Sequence, residues 1–315
     1  MSRAHGLESL GVHALAGLVG AIGWGPSRML GAGLGAALGA AGIRRRVARE
    51  NLARAFPALA ESERTVILAR HYRELGRVAL EYPLIPRLAG APDGEVFAAV
   101  RGLEHIEAAL AGGHGAIFLS GHFGNFELGA ARLARRFPVD LVVKPLANPK
   151  VDAWLSDLRR RAGFGLIRTD AGVREVFASL RAGRAVAMLA DQDARRHGVF
   201  VPFLGVPSST PVGPARVSLA TRAPIVTGFV TRREDGRHEL DIEPPLVEVG
   251  RDADAARRLT AQHTDRLTAW VRKRPEAWFW LHRRWKTAPP EGLGGTHDAE
   301  EVPRDEDHAA RAGGA

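Results

Sequence analysis

Gly115 to Gly129 reads GAIFLSGHFGNFELG, and its interpretation decides the fold. Ala116 to Leu119 is a short apolar run that ends in Ser120-Gly121-His122. Glu127 then opens a pattern (Phe126, Leu128, Leu133) with helical spacing. The stretch therefore predicts a strand, a turn carrying a histidine, and a helix with a carboxylate in its first turn. On one continuous helix, residues five apart sit ~140° apart, because each residue turns ~100°. His122 and Glu127 can converge only if His122 lies outside the helix, and Gly121 and Gly124 give the backbone that freedom. A histidine and an acid at the end of a strand is an arrangement that activates a hydroxyl. The bland alternative is a core histidine beside a helix-capping carboxylate.

Outward from this stretch, apolar segments alternate with helical ones. Predicted strands are Glu95 to Val100, Val139 to Val143, Leu166-Ile167, Ala185 to Ala190, Pro224 to Thr231 and His238 to Pro244. Predicted helices cover Leu103 to Leu110, Pro149 to Arg161, Gly172 to Arg181, Val212 to Thr221 and Ala255 to Arg274. Gly198 to Gly205 reads as a loop. Such alternation implies an α/β fold with a largely parallel sheet flanked by helices. Sites in such sheets gather at the carboxyl ends of the strands. Asp191-Gln192-Asp193 falls at one such end, and Thr210 to Gly213 opens a later helix.

The amino-terminal part differs in kind. Ser9 to Ser27 contains no Asp, Glu, Lys or Arg, which suits one bilayer crossing of ~20 residues. A glycine-rich run, Met29 to Ile43, follows and suits a helix on the membrane surface. Arg44, Arg45, Arg46 and Arg49 come next, so the remainder is expected on the cytoplasmic side. The competing reading is a buried pair of glycine-rich helices. Arg44 to Tyr82 reads as helical with a break at Pro57, and Ser62 is the expected cap of the second part. The expected organisation is an anchor and interfacial helix over 1–43, a catalytic domain over 44–289, and a disordered tail over 290–315.

Composition narrows the chemistry. The absence of cysteine excludes disulfides, thiolate nucleophiles and cysteine zinc sites. A net charge of +9, carried mostly by arginine, suits an anionic partner or reflects codon bias. Aromatics at 6% and no recognisable nucleic-acid module argue against nucleic acid. No third ligand stands at metal spacing beside Asp191 and Asp193. No Gly-x-Ser-x-Gly elbow supports a hydrolase.

Five segments together resemble the lipid A late acyltransferases (lauroyl/myristoyl acyltransferases) of the lysophospholipid-acyltransferase-like superfamily. They are RRRVARENLARAFP (44–57), LSGHFGNFELGA (119–130), KPLANPKVDAWLSDLRRRAG (144–163), DQD with GVFVPFLGVPSSTPVG (191–213), and PEAWFWLHRRWK (275–286). The resemblance covers roughly Leu10 to Pro289. It implies a glycerolipid-acyltransferase-like fold at the inner membrane and no cofactor. It also implies transfer of a fatty acyl chain from acyl carrier protein to a hydroxyl of an anionic glycolipid, forming an acyloxyacyl group on a lipid A precursor. His122 would be the general base and Glu127 the acid that orients it. Arg159 is the first choice for the arginine facing a phosphate or oxyanion, then Arg161, then Arg160. Asn125 would donate to the oxyanion or cap the helix, and Asp191 would orient a loop or an arginine. His282 to Arg284 beside Trp280 and Trp285 looks interfacial or part of an amphipathic core element. The rival readings are the same chemistry on another lipid, such as a phosphatidylinositol mannoside, and a non-catalytic membrane-tethered lipid-binding protein.

Overall fold

In the computed structural model, residues 3–247, 250 and 252–290 are described; most of the expected tail lies outside them. The helices are α1 (Arg3–Ile22), α2 (Trp24–Ala40), α3 (Arg45–Ala55), α4 (Glu61–Glu81), α5 (Ile85–Ala89), α6 (Leu103–Ala111), α7 (Phe126–Ala134), α8 (Pro149–Arg161), α9 (Val173–Arg181), α10 (Gly213–Thr221) and α11 (Ala255–Lys273). The strands are β1 (Phe97–Arg101), β2 (Ala116–Ser120), β3 (Val139–Val143), β4 (Gly165–Arg168), β5 (Ala185–Leu189), β6 (Val199–Phe203), β7 (Val206–Thr210), β8 (Ile225–Arg232) and β9 (His238–Ile242).

Seven strands form one sheet in the order β1-β9-β8-β2-β5-β3-β4. From β8 to β4 every pairing is parallel, and β9 turns back against β8 with β1 beside it. Strand β2 lies at the centre and all five of its residues are buried, as a strand covered on both faces requires. The largely parallel α/β sheet expected from the alternation is therefore present. The segment read as a loop at Gly198 to Gly205 belongs instead to an antiparallel hairpin, β6–β7. Its Phe203 is 1% exposed and packs on Trp278 and Trp285 with ring centroids 5.0 and 5.7 Å away. An aromatic anchor outweighs the turn-forming Pro202 and Gly205.

The C-terminal aromatic signature is core. Trp278, Trp280 and Arg284 are at most 1% exposed, which corrects the interfacial reading of Trp280, Trp285 and Arg284. The first and last signature segments meet: the Asn51 amide donates to the carbonyls of Trp280 (2.8 Å) and His282 (2.6 Å). The expected Ser62 cap is also absent. Helix α4 starts at Glu61, and Glu63 accepts the Ala60 N–H at 2.7 Å.

The uncharged amino-terminal run is divided. Helix α1 ends at Ile22, Gly23 takes φ 78°, and α2 begins at Trp24. Among the described residues no helix is long and apolar enough to cross a membrane. The glycines of α2 serve packing. A Cβ on Gly31 would meet the Gly76 carbonyl of α4, and one on Gly35 the Tyr72 carbonyl. The two backbones thus approach more closely than any side chain allows. Elsewhere on α2 Met29, Leu34 and Leu38 remain exposed, as Leu7, Leu10 and Leu18 do on α1.

Glycines with different surroundings on α2 test this packing. Gly35→Ala should lower stability by about 1–3 kcal/mol through overpacking. Gly33, with nothing within 4 Å of its would-be Cβ, should instead gain about 0.5–1 kcal/mol as alanine. Urea midpoints of the two variants should move in opposite directions.

Candidate active site

The register of β2 on β5 builds the centre of the site. Ser120 stands opposite Leu189, so the residues two further on, His122 and Asp191, leave adjacent strand ends side by side. The His122 Nδ1–H donates to Asp191 Oδ1 at 2.7 Å, and the His122 backbone N–H donates to Oδ2 at 2.8 Å. The Trp278 Nε1–H adds a third bond to Oδ2 at 2.9 Å. Burial works against the charge of the Asp191 carboxylate. The imidazole and the three N–H donors outweigh it and hold the group well below the usual carboxylate range. For His122, burial lowers the pKa and the Asp191 charge raises it; the charge wins, and the net shift is upward. With Nδ1–H committed to Asp191, Nε2 carries the lone pair, and the Gln192 amide nitrogen lies 3.4 Å from it.

The C-terminal segment closes the loop around His122. Phe279 N–H donates to the His122 carbonyl at 3.0 Å and Gly124 N–H to the Ala277 carbonyl at 2.9 Å. Gly124 sits at φ 55°, and a Cβ there would strike the Val230 carbonyl, so glycine is required.

Glu127 does not hold the imidazole, which corrects the expected pairing. It lies in the first turn of α7 and is 1% exposed, and Arg159 from the end of α8 takes both its oxygens, at 2.8 and 3.0 Å. Arg159 is buried to 14% side-chain exposure; burial opposes its charge, and Glu127 outweighs that. Two elements separated by 32 positions are locked by this bidentate pair. Of the three arginines ending α8, Arg159 lines the cavity, while Arg161 is 58% exposed and pairs with Asp157 on the surface. Asn125 caps α7: its Oδ1 accepts the Leu128 N–H at 3.1 Å. Its amide donates to Glu81 at 2.9 Å, so it is buried in structure rather than turned to the cavity.

His122, Glu127 and Arg159 border a cavity of about 770 Å³. It runs over the sheet between α4, α7 and the strand ends, where Phe118, Ala130, Leu141, Val143 and Ala187 make it apolar. That size lies within the range of small-molecule and cofactor sites. Three of its polar residues escape sequence reading. His71 of α4 faces it as a neutral ring, pushed down to about 4 by burial, with Nδ1–H donating to the Glu276 carbonyl at 3.1 Å. Tyr82 lies by Glu127, its phenol pushed well up by burial and then by that carboxylate. Gln192 sits beside the expected Asp191. Among the described residues no cluster of three or more potential ligands is arranged for a metal.

A carboxylate-held histidine lining an apolar cavity on an α/β sheet suits an enzyme with an apolar substrate. The chain belongs to the bacterial lipid A biosynthesis acyltransferase family, whose model matches residues 4–287, and it is an acyltransferase. It is 29% identical to the lipid A biosynthesis lauroyltransferase of Escherichia coli (strain K12), over 82% of this chain and 85% of that one. It is 28% identical to the palmitoleoyltransferase of the same pathway and strain, over 78% and 80%. It is also 29% identical to the phosphatidylinositol mannoside acyltransferase of Mycobacterium tuberculosis (strain CDC 1551 / Oshkosh), over 59% of each chain.

The His122–Asp191 pair has a direct spectroscopic consequence. In the wild-type chain the His122 ring should titrate above its ordinary 6.5. In Asp191→Asn burial acts alone, which disfavours the imidazolium, so the titration should move below 6.5. Proton NMR of the ring resonances reads both, and an unchanged titration would remove Asp191 from the pair.

Proposed function

We propose that the chain transfers a fatty acyl group from the thioester of acyl carrier protein to a hydroxyl of a lipid A precursor, at the cytoplasmic face of the inner membrane. The observation that carries this reading is the juxtaposition of the His122 Nε2 lone pair with the apolar cavity. The acyl chain lies in that cavity with its thioester at the His122 end. The acceptor hydroxyl attacks the thioester carbonyl as Nε2 takes its proton, and Asp191 stabilises the imidazolium that forms. The tetrahedral intermediate then expels the thiolate, which takes the proton from the imidazolium. An ester and a free thiol result, and no covalent enzyme intermediate is needed. Arg159, held by Glu127 through Nε and Nη2, lines the cavity and keeps Nη1 to donate to the developing oxyanion. Exposed leucines of α1 and α2 supply attachment to the membrane surface.

The lipid A relatives support the acceptor more strongly than the mannoside relatives do. Identities are equal at 29%, and the alignment to the lauroyltransferase is the longer, 266 against 191 residues.

Purified protein, acyl carrier protein thioesters and either a tetraacylated disaccharide phosphate or a phosphatidylinositol mannoside make the test, with products weighed by mass spectrometry. Acylation of the disaccharide is expected; acylation of the mannoside alone would replace the acceptor. His122→Ala should reduce turnover about 10²- to 10⁴-fold. Near-normal transfer by that variant would sink the mechanism. Asp191→Asn should also be slow and should shift the low-pH limb of kcat/KM downward. Glu127→Gln and Arg159→Leu should be non-additive, the double variant losing little more than either single.

A further inference from the structure

A second hollow, of about 980 Å³, lies behind the lip formed by Gly124, Glu276 and Ala277, and these residues also line the His122 cavity. Helix α4 is a wall of both. At ~100° per residue, Arg70, Arg73 and Arg77 form one stripe and His71, Leu75 and Val78 the neighbouring one. The first stripe lines the second hollow and the other the apolar cavity. Seven arginines and four carboxylates line the second hollow. Several of these are already engaged. Arg232 is bound by Glu74 and Glu81, each at 2.7 Å, and Arg233 by Glu239 at 2.8 Å. Arg77 reaches Glu74 at 3.3 Å, and Asp235 pairs with Arg237 at 2.8 Å. Arg28 lies over the Trp24 ring at 4.3 Å and donates to the Asp235 carbonyl. Arg70, Arg73 and Arg274 are exposed and, among the described residues, in no ion pair; of the carboxylates Glu234 and Glu276 are likewise unpaired, which leaves the arginines in excess. Met29, 79% exposed, stands in the same lining and continues into the apolar row of α2.

We propose that this hollow seats the headgroup of the lipid acceptor, a headgroup bearing two or more phosphate or carboxylate groups. Arg70, Arg73 and Arg274 take the anions, the acceptor's chains leave over Met29 and Leu30, and its reacting hydroxyl passes Gly124 to reach His122. The concavity and the apolar flank favour this amphiphile over an acidic protein, since guanidinium forks on anionic oxygens fill a hollow of headgroup size. The donor and acceptor then approach His122 from opposite sides of α4. The inference rests on the acyl-transfer reading above.

The test uses full-length chain carrying Arg70→Ser, Arg73→Ser and Arg274→Ser together. These are surface positions, and an unchanged thermal midpoint shows that folding is intact. A second triple variant, Arg174→Ser with Arg181→Ser and Arg216→Ser, removes the same charge from exposed sites elsewhere. Co-sedimentation compares phosphatidylcholine vesicles with and without cardiolipin, a lipid with two phosphates. The groove variant should lose about 100-fold in cardiolipin-dependent binding, while the control keeps it. Equal losses by both variants would overturn the proposal. In steady-state transfer the groove variant should raise the acceptor KM at least tenfold, leaving the donor KM and kcat unchanged. A rise in donor KM alone would make the hollow a carrier-protein dock, and no change in either would make it solvated surface; both overturn it. If the wild-type chain acylates no lipid, the proposed function fails, and vesicle binding still reports on the hollow.

Discussion

The buried Asp191 carboxylate, accepting three N–H groups, is the interaction on which the site's geometry depends. An isolated carboxylate in such a place would be neutral or would expel its surroundings, because burying an unpaired charge is expensive. Here the strand register brings His122 up from β2, and the C-terminal segment brings Trp278 from beyond α11. Each donor comes from a part of the chain far from Asp191 in sequence. The carboxylate therefore serves as a clamp on two distant segments as well as a partner for one imidazole. The Phe279 and Gly124 backbone bonds to the same loop extend that clamp along the chain.

Around this centre two further groups of buried charge are self-contained. Glu127 and Arg159 satisfy each other on the cavity side. Glu81, fully buried, accepts from Arg232, Asn125 and the Trp24 indole, and burial that would raise its pKa is outweighed by His238 and Arg232. Such pairs add little net stability over an apolar replacement, but loss of one partner leaves an uncompensated charge. Their separation means that a proton taken up by His122 meets a field set chiefly by Asp191. The carboxylate nearest in sequence, Glu127, is already neutralised by its arginine.

How much of this was legible in sequence depends on range. The strand–turn–helix at 115–129 was readable because glycine, apolar run and helical spacing are local signals, and β2, His122 and α7 stand there. The partner of His122 was not, because 69 residues separate it from Asp191 and only the β2–β5 register joins them. The arginine triplet illustrates the same limit: helical rotation turns Arg159 inward and Arg161 outward, and the phase is set by what α8 packs against. At the amino terminus, hydropathy identified apolar residues but not what they touch. The four-residue spacing of Gly31, Gly35 and Gly39 was the available sign of a close helix pair. The tryptophans near the C-terminus show the converse, since an aromatic beside arginines reads alike at an interface and in a core.

The Trp24–Glu81–Asn125 chain of hydrogen bonds joins the corner of the amino-terminal hairpin to the residue that caps α7. A shortened protein lacking that hairpin would differ from the whole in more than its affinity for lipid. It would expose the carbonyls of α4 that the α2 glycines cover, and it would take away one of the donors around Glu81. The hairpin is in that sense a folded-in subunit of the catalytic body, and solubility and catalytic competence cannot be engineered independently at this end of the chain.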